Sequence, residues 1–139
     1  MNQRGFATLE VILMIMVIGI LASIAVPRFT SVTTAANTAK IQSDLSTINT
    51  AIAVYQMEHG SYPAAAENIN ALSDYIQGAA NLKPPSGSAY IKGTSGEPTA
   101  TPISGNYKMV AVSGDNPGEV EAALGDNTAD KFYIPKKGS

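Results

Sequence analysis

The amino-terminal part of the chain carries a long apolar run that contains a single carboxylate. Residues 11–26 are sixteen almost unbroken apolar residues, and the wider twenty-one-residue segment 6–26 holds one charged side chain, Glu10. As a helix this segment is roughly 30 Å long, which matches one bilayer core. A carboxylate there costs on the order of 3 kcal/mol, whereas each Val, Ile or Leu favours insertion by roughly 0.3–0.6 kcal/mol. Because residues 11–26 include ten of those apolar residues, we expect insertion with Glu10 held in the membrane.

Three kinds of segment fit this run. A cleavable secretory signal would use Arg4 as its charged flank and residues 23–25 as its cleavage site. An uncleaved signal anchor would remain in the membrane. The third kind is the leader and helix of a type IV filament subunit, cut after Gly5. A signal peptide needs only a shorter apolar centre, and a plain anchor has no reason to carry Glu10, so the third interpretation is favoured.

The start of this chain resembles that of type IV pilins and type II secretion pseudopilins over the segment RGFATLEVILMIMVIGILASIAVPRF. The resemblance implies that a prepilin peptidase cuts between Gly5 and Phe6 and methylates the new terminus at Phe6. It implies that Glu10 admits each subunit into the filament, and that Gly19 and Pro27 weaken the helix. The commoner order after the cut is Phe-Thr-Leu-x-Glu, whereas this chain has Phe-Ala-Thr-Leu-Glu with the same spacing.

The chemistry of Glu10 can also be argued from the residues. Cutting after Gly5 frees an α-amine about one helical turn away, but within one chain this amine leans away from Glu10. A neighbouring subunit shifted by about one turn would bring its own amine against the carboxylate. Such a desolvated pair adds little net stability, but losing one partner costs roughly 3–5 kcal/mol, so the pair sets the register between subunits. The alternative is a carboxylate that snorkels at the membrane interface.

Gly19 and Pro27 are expected to weaken the apolar helix. Pro27 has no amide proton and clashes with the carbonyl of Ser23, while Gly19 adds backbone freedom. In a packed bundle, neighbouring helices can satisfy the freed carbonyls, so residues 19–27 are expected to unwind there. A kink alone is the alternative, and we expect it in the isolated subunit.

After Pro27 the pattern becomes one-sided, which predicts an amphipathic helix with one buried stripe. The apolar positions recur at spacings of four, three, four and three: Ile41, Leu45, Ile48, Ile52 and Tyr55. The opposite face carries residues expected to meet solvent: Lys40, Asp44, Thr47 and Glu58. Residues 30–34 are mostly β-branched and are expected to bend or fray. His59, a left-handed cap at Gly60 and then Pro63 predict the helix end.

The helix end also resembles the Tyr-x-x-x-x-Gly-x-Tyr-Pro signature of pseudopilins and many pilins. Its places are taken by Tyr55, Gly60, Tyr62 and Pro63. We interpret this signature as a structural cap with an aromatic cover and assign it no ligand. His59 is the only histidine, which argues against a metal or catalytic role for it.

From residue 64 onward the pattern indicates a small globular head. We predict a short helix over 66–77 closed by Gly78, mostly loop over 83–105, and strands over 88–92, 106–113 and 131–135, with Tyr107 and Met109 on one face. The fold class is therefore α+β, with a long amino-terminal helix packed on a small antiparallel sheet, the pilin fold. The predicted divisions are a leader (1–5), a hydrophobic membrane and assembly helix (6–29), an amphipathic half with its cap (30–63) and a head (64–139).

An oxygen-rich cluster near the carboxyl end allows two interpretations. Its members are Asp115, Asn116, Glu119, Glu121, Asp126, Asn127 and Asp130. The favoured interpretation is a short helix that is capped by residues 116–119, has Val120, Ala123 and Leu124 on its apolar side, and ends at Gly125. The alternative is calcium, which takes six to eight oxygens. Its candidate ligands are Asp115, Glu119, Asp126 and Asp130. No other cofactor is expected.

Composition excludes several function classes. No nucleophile–base pair, phosphate loop or paired metal ligands are present, so we predict that the chain is not an enzyme. The formal charge of −2 offers no basic face for nucleic acid. Neither Trp nor the Asp-Pro-Trp-Gly motif of major pseudopilins occurs, which favours a pilus over a secretion system at this stage.

These patterns lead to one functional hypothesis and its alternatives. We predict an abundant structural subunit of a type IV pilus-like filament, a major pilin. It is expected to be a single-pass membrane protein first and then part of an extracellular or envelope-spanning fibre. The predicted partners are further copies of the chain, the prepilin peptidase and N-methyltransferase, the assembly platform, minor pilins and, before assembly, membrane lipid. The alternatives are a type II secretion pseudopilin or a competence pilin for DNA uptake. A more remote alternative is a secreted or membrane-anchored binding domain.

Overall fold

The computed structural model describes residues 3–114 and 116–135 of the chain. Within these residues, helix α1 (Gln3–His59) precedes five strands: β1 (Ser88–Lys92), β2 (Pro98–Pro102), β3 (Tyr107–Ala111), β4 (Val120–Leu124) and β5 (Asn127–Thr128). The same residues hold three short 3₁₀ turns: Asn70–Leu72, Ala79–Asn81 and Ala129–Lys131. The chain divides into two compact units, Met1–Thr33 and Thr34–Ser139.

In the first unit, the described residues are helical and exposed throughout. The fraying predicted over residues 30–34 is wrong, because the backbone stays helical there, and the bend stays a prediction. The hydroxyl of Thr33 donates to the carbonyl of Phe29 at 2.9 Å. Such a bond to the preceding turn satisfies the hydroxyl without taking the residue out of the helix.

In the second unit, the predicted stripe of α1 forms the core. Four of its members are 3% exposed or less: Ile41, Leu45, Ile48 and Ile52. Tyr55 is half-buried and packs against them. Asp44, predicted to meet solvent, is half-buried instead, because Tyr107 donates its hydroxyl proton to Asp44 Oδ2 at 2.6 Å. Lys40 Nζ lies 2.5 Å from the same oxygen, so the carboxylate has two partners.

The antiparallel strands form two small sheets rather than the single one predicted. β1 pairs with β2, and β4 lies between β3 and β5. The predicted strand 88–92 is confirmed, and the strand predicted over 106–113 is confirmed in its central part as β3. Tyr107 and Met109 share the buried face, as the alternation predicted. The α+β class, a long helix with small antiparallel sheets, is thus confirmed.

Polar side chains of α1 also bind the backbone of the strands and of Phe132, which follows the last 3₁₀ turn. Four helix residues take part: Asn37, Thr38, Gln42 and Asn49. Thr38 Oγ1 accepts the N–H of Tyr90 at 2.8 Å, and Asn49 Oδ1 accepts the N–H of Ala122 at 2.7 Å. Each bond satisfies a strand amide that would otherwise lack a partner near the core. The helix therefore fixes the position of each sheet through hydrogen bonds as well as through apolar packing.

The helix predicted over residues 66–77 is wrong. The segment contains the 3₁₀ turn Asn70–Leu72, and Asn68 Oδ1 accepts the N–H of Asn70 at 3.0 Å. Asparagine side chains that bond nearby amides compete with helical hydrogen bonds, which favours turns. The three apolar positions on which the prediction relied are nevertheless buried: Ile69, Leu72 and Ile76.

The short helix predicted after residues 116–119 is also wrong, because that stretch is a β-turn followed by β4. Glu119 N–H donates to the carbonyl of Asn116 at 3.2 Å, which closes the turn. Gly118 has φ +80°, the positive value that a type II turn requires at its third position, with proline favoured at the second. The Asn-Pro-Gly-Glu sequence at residues 116–119, which also fits a helix cap, is therefore part of the connection between β3 and β4.

Two further strand predictions need correction. Residues 131–135 form no strand; Ala129–Lys131 is a 3₁₀ turn, and Phe132 makes an isolated bridge with Ile91. Conversely, β2 lies within 83–105, where mostly loop was predicted. The sequence did not indicate a strand there, because β2 has two prolines and no alternation of apolar residues.

We expect Asn49→Ala to lower the free energy of unfolding by about 1–3 kcal/mol, because the N–H of Ala122 loses its acceptor at a part-buried position. The matched control is Thr50→Ala, at an exposed helix position whose hydroxyl bonds only within α1. That control should change stability by about 0.5 kcal/mol or less. Urea unfolding of the full chain in detergent, followed by circular dichroism, measures both. Equal losses in the two variants would contradict the role of Asn49.

Stability should also decline at alkaline pH through Tyr107. Burial, followed by the hydrogen bond to Asp44, raises the pKa of Tyr107 far above its ordinary value. A group with a raised folded-state pKa adds stability that is complete below its unfolded pKa, near 10, and is lost as the pH rises further. Tyr107→Phe should therefore flatten the decline in stability above about pH 10. Urea midpoints measured across this pH range test the prediction. The control is Tyr133→Phe, at an exposed ring, and this variant should keep the alkaline decline in stability.

Candidate assembly surface

The first unit presents a continuous apolar surface, formed by residues 6–26 and called here the assembly surface. Its side chains are all exposed, with Phe6 at 66% and Ile18 at 64%. Apolar patches of this extent mark contacts with membrane or with protein. Among the described residues, α1 is the one helix long and apolar enough to cross a membrane.

Glu10 lies within the assembly surface, on one face of α1. It lines a shallow groove together with residues spaced three, four, seven and eight positions later: Leu13, Met14, Val17 and Ile18. Among residues 3–114 and 116–135, no cation lies within ion-pair distance of its carboxylate. This part of the chain therefore supplies a charge with apolar neighbours but no counter-ion. The predicted pairing with a neighbour's amine stays a prediction.

The predicted processing residues lie in accessible backbone. Gly5 and Phe6 are in the first turns of the described helix, and both are exposed. A methyl group built on Gly5 would meet nothing within 4 Å. The absence of a side chain at Gly5 is therefore not required by packing in this structure, which is compatible with a requirement for close approach by an enzyme.

Gly19 and Pro27 both lie inside α1, and the backbone is assigned as helical at each of them. A methyl group built on Gly19 would also meet nothing within 4 Å. Pro27 has no N–H to donate to the carbonyl of Ser23, so one helical bond is missing at that point. The unwinding of residues 19–27 was predicted for a packed bundle, and it stays a prediction.

The acidic residues predicted as calcium candidates have other partners. Asp126 Oδ1 lies 3.4 Å from Lys108 Nζ. Glu119 accepts a hydrogen bond from the Asn116 amide at 3.0 Å, and Asp130 accepts one from a neighbouring threonine hydroxyl. These contacts tie the carboxylates to separate local structures.

Within residues 3–114 and 116–135, no three acidic or histidine side chains come close enough together to hold a metal ion. Asp115, the first of the four candidates, lies outside the described residues. Burial raises the pKa of Glu121, and the nearby charges of Asp130 and Glu119 add to that effect. The expectation of no cofactor, with calcium as its alternative, stays a prediction.

The end of α1 is a cluster of aromatic and polar side chains. The rings of Tyr55 and His59 stack with centroids 4.2 Å apart, and Tyr75 packs edge-on against Tyr55. The hydroxyl of Tyr75 donates to Glu58 Oε2 at 2.6 Å, and this bond raises the pKa of Tyr75 to about 12. Gly60 has φ +71°, so the predicted left-handed cap is confirmed. The sequence signature had located the cap but not Tyr75, which comes from the following segment.

Comparison with known proteins gives a family match over residues 28–114, to the family described as type II secretion system protein G. This match includes the amphipathic half of α1 and most of the strands, and it excludes Glu10. It is therefore independent of the charge and apolar pattern of the assembly surface. No solved structure matches the chain.

Related proteins agree with the family. A type II secretion system core protein G of Escherichia coli K12 is 31% identical over 119 residues, which cover 85% of this chain and 75% of that protein. One of Klebsiella michiganensis is 34% identical over 71 residues, so the match spans 51% of this chain and 50% of that relative's length. A type IV narrow pilus major component of Thermus thermophilus is 35% identical over 63 residues, 45% of this chain and 54% of that protein.

The family match covers more than half of the chain, and the relatives named as core protein G agree with it. The predicted resemblance to pilins and pseudopilins is thereby confirmed. Members of this family are structural subunits, which also confirms the prediction that the chain is not an enzyme. The chain belongs to the family of type II secretion system protein G.

Proposed function

We propose that this chain is a pseudopilin, a subunit that polymerises through α1 into a filament of a type II secretion system. The observation that carries the proposal is the fully exposed assembly surface with Glu10 as its one carboxylate. A chain with that surface must cover it with lipid or with other subunits, because water is an unfavourable neighbour for so much apolar area. Membership in the protein G family supports a filament of the secretion-system kind.

This proposal reverses the order of the two leading roles. The sequence favoured a major pilin over a pseudopilin because Trp and the Asp-Pro-Trp-Gly motif are absent. The family match and the relatives named as core protein G favour the secretion role instead. A missing motif is weaker evidence than similarity over 85% of the chain.

The membrane holds the subunit before assembly. Ten Val, Ile and Leu residues within 11–26 favour insertion and outweigh the cost of Glu10, which is on the order of 3 kcal/mol. The unpaired carboxylate still raises the free energy of the subunit in lipid, and this cost is a penalty on the membrane-held state. A partner cation relieves that penalty, so the penalty favours transfer of the subunit from lipid into a filament.

The partner cation in this proposal is the amine of a neighbouring subunit. A prepilin peptidase removes residues 1–5 and methylates the amine of Phe6. A neighbour shifted by about one helical turn then presents that amine to Glu10. The other partners are the assembly platform and minor pilins, and the assembled filament extends into the cell envelope. The pair sets the axial register, since a subunit in any other register leaves a buried charge unpaired.

A type IV pilus is the second candidate function. The Thermus thermophilus relative, named as a major component of a narrow pilus, favours it at 35% identity over 63 residues. The two candidates differ in where the polymer lies and in what its loss affects. Deletion of the gene should abolish protein secretion for a pseudopilin and surface fibres for a pilin. Secreted-protein profiles and electron microscopy of the deletion strain distinguish them.

Glu10→Ala should leave trimming and membrane insertion intact and reduce filament formation to background. The physical reason is that a neighbour's amine then has no carboxylate to neutralise it, at a cost of roughly 3–5 kcal/mol per subunit. Filaments sheared from cells, quantified by immunoblot and imaged by electron microscopy, measure the effect. The matched control is Thr8→Ala, at an exposed position whose hydroxyl bonds only to the carbonyl of Arg4. Normal filaments from Glu10→Ala would remove the assembly role of this residue.

The mature protein should begin at methylated Phe6. Intact-mass measurement of protein from native membranes tests this directly, because each competing interpretation gives a different terminus. A start at Val26 would indicate an ordinary secreted protein, and an intact Met1 an uncleaved anchor. Gly5→Leu should block trimming by placing a bulky side chain at the scissile bond, whereas Gly19→Ala, also free of neighbours within 4 Å, should be trimmed normally.

A further inference from the structure

Two strand edges in the second unit are contacted by other segments of the chain. On the outer side of β1, the N–H of Tyr90 donates to Thr38 Oγ1 at 2.8 Å, and its carbonyl accepts the N–H of Tyr133 at 3.3 Å. On the outer side of β3, Met109 exchanges two backbone hydrogen bonds with Ala66, at 3.0 and 2.9 Å. These contacts occupy groups that another strand would need.

The outer edge of β2 lacks such a cover. β2 pairs with β1 on one side, and residues 3–114 and 116–135 contain no segment paired along its other side. Strands that add to open edges of this kind cause aggregation, and natural proteins commonly place charged side chains there. β2 has the sequence Pro-Thr-Ala-Thr-Pro and carries no charge. Its protection must come from another feature.

The pairing with β1 decides which groups of β2 point outward. Tyr90 directs both its N–H and its carbonyl away from β2, and its partner across the pair is Ala100. In an antiparallel pair such residues alternate with hydrogen-bonded ones, so Ala100 directs its own groups away from β1. Residues two positions away share that direction, and both are prolines, Pro98 and Pro102.

The outer edge of β2 is therefore almost devoid of donors. Proline has no N–H, so of the three outward-facing residues only Ala100 can donate a hydrogen bond. The inward-facing residues Thr99 and Thr101 keep their amides for β1. Placing proline at the outward positions costs no bond to β1, which is the condition under which edge strands tolerate it.

We propose that Pro98 and Pro102 close the edge of β2 to strand addition by a second copy of the chain. An added antiparallel strand needs alternating donors and acceptors along the edge, and two of the three donors are absent. This closure of the edge involves the second unit alone and does not depend on polymerisation through α1.

Restoring the donors should permit pairing between copies. The test uses the full-length chain in detergent with Thr99→Cys as a reporter, since the natural sequence has no cysteine. Two β2 edges that pair about Ala100 bring the reporters to about 7–8 Å, within reach of a short bismaleimide. Pro98→Thr/Pro102→Thr should raise the cross-linked dimer by at least about tenfold over the proline-containing chain, because each copy regains two outward amide donors.

Two further variants make the test specific. Adding Ala100→Pro to the double variant removes one of its three outward donors and should lower cross-linking below that of the double variant. Pro117→Thr, at an exposed proline in the turn before β4, should leave cross-linking unchanged. Circular dichroism and the urea midpoint verify that each variant is folded, and the single Pro98→Thr variant replaces a double variant that is not. A folded variant with restored donors that cross-links no more than the original, or an equal rise with Pro117→Thr, overturns the proposal.

Discussion

The fold of the second unit depends on one constraint: a single stripe of α1 must serve as the core for two small sheets. Ile41, Leu45 and Ile48 are fully buried, and residues on both sheets pack against the same cluster. Because the chain has no disulfide to tie these sheets down, apolar burial alone would allow them to slide along the helix. Thr38 and Asn49 prevent this by accepting specific strand amides. The helix therefore supplies both the apolar area and the polar positions that define where each strand lies.

The long-period features of this fold could be predicted from the sequence, whereas of the short elements only β1 and β3 could be. The stripe of α1 repeats over four turns, so its burial and its cap at Gly60 were evident. Residues 120–124 are nearly all buried, which removes the alternation that identifies a strand, and Asn-Pro-Gly-Glu serves equally as a helix start or a β-turn. Pairing between β3 and β4 decided between them. The local sequence of β4 does not show this pairing, because the partner strand β3 lies elsewhere in the chain.

The candidate site was likewise predictable from the sequence only in part. Glu10 and the apolar run were recognisable because a charge in such a segment is energetically costly, and the structure places both on an exposed helix face. The partly buried bond between Asp44 and Tyr107 was missed, since Asp44 falls on the polar side of the helical pattern and its partner is 63 positions away. The aromatic signature located the helix end, yet the Tyr75 bond to Glu58 depended on a turn that had been predicted as a helix.

The two units manage association in opposite ways, and this difference follows from their chemistry. The first unit leaves residues 6–26 uncovered, so any burial of that surface has to come from lipid or another molecule. The second unit covers the outer edges of β1 and β3 with Thr38, Ala66 and residue 133, and at β2 two prolines remove the donors that a new strand would use. A chain that polymerises needs this asymmetry, because heads at high local concentration would otherwise pair through open edges. In the proposed filament, growth would then be directed to the helix, where the predicted charge pair would select the register.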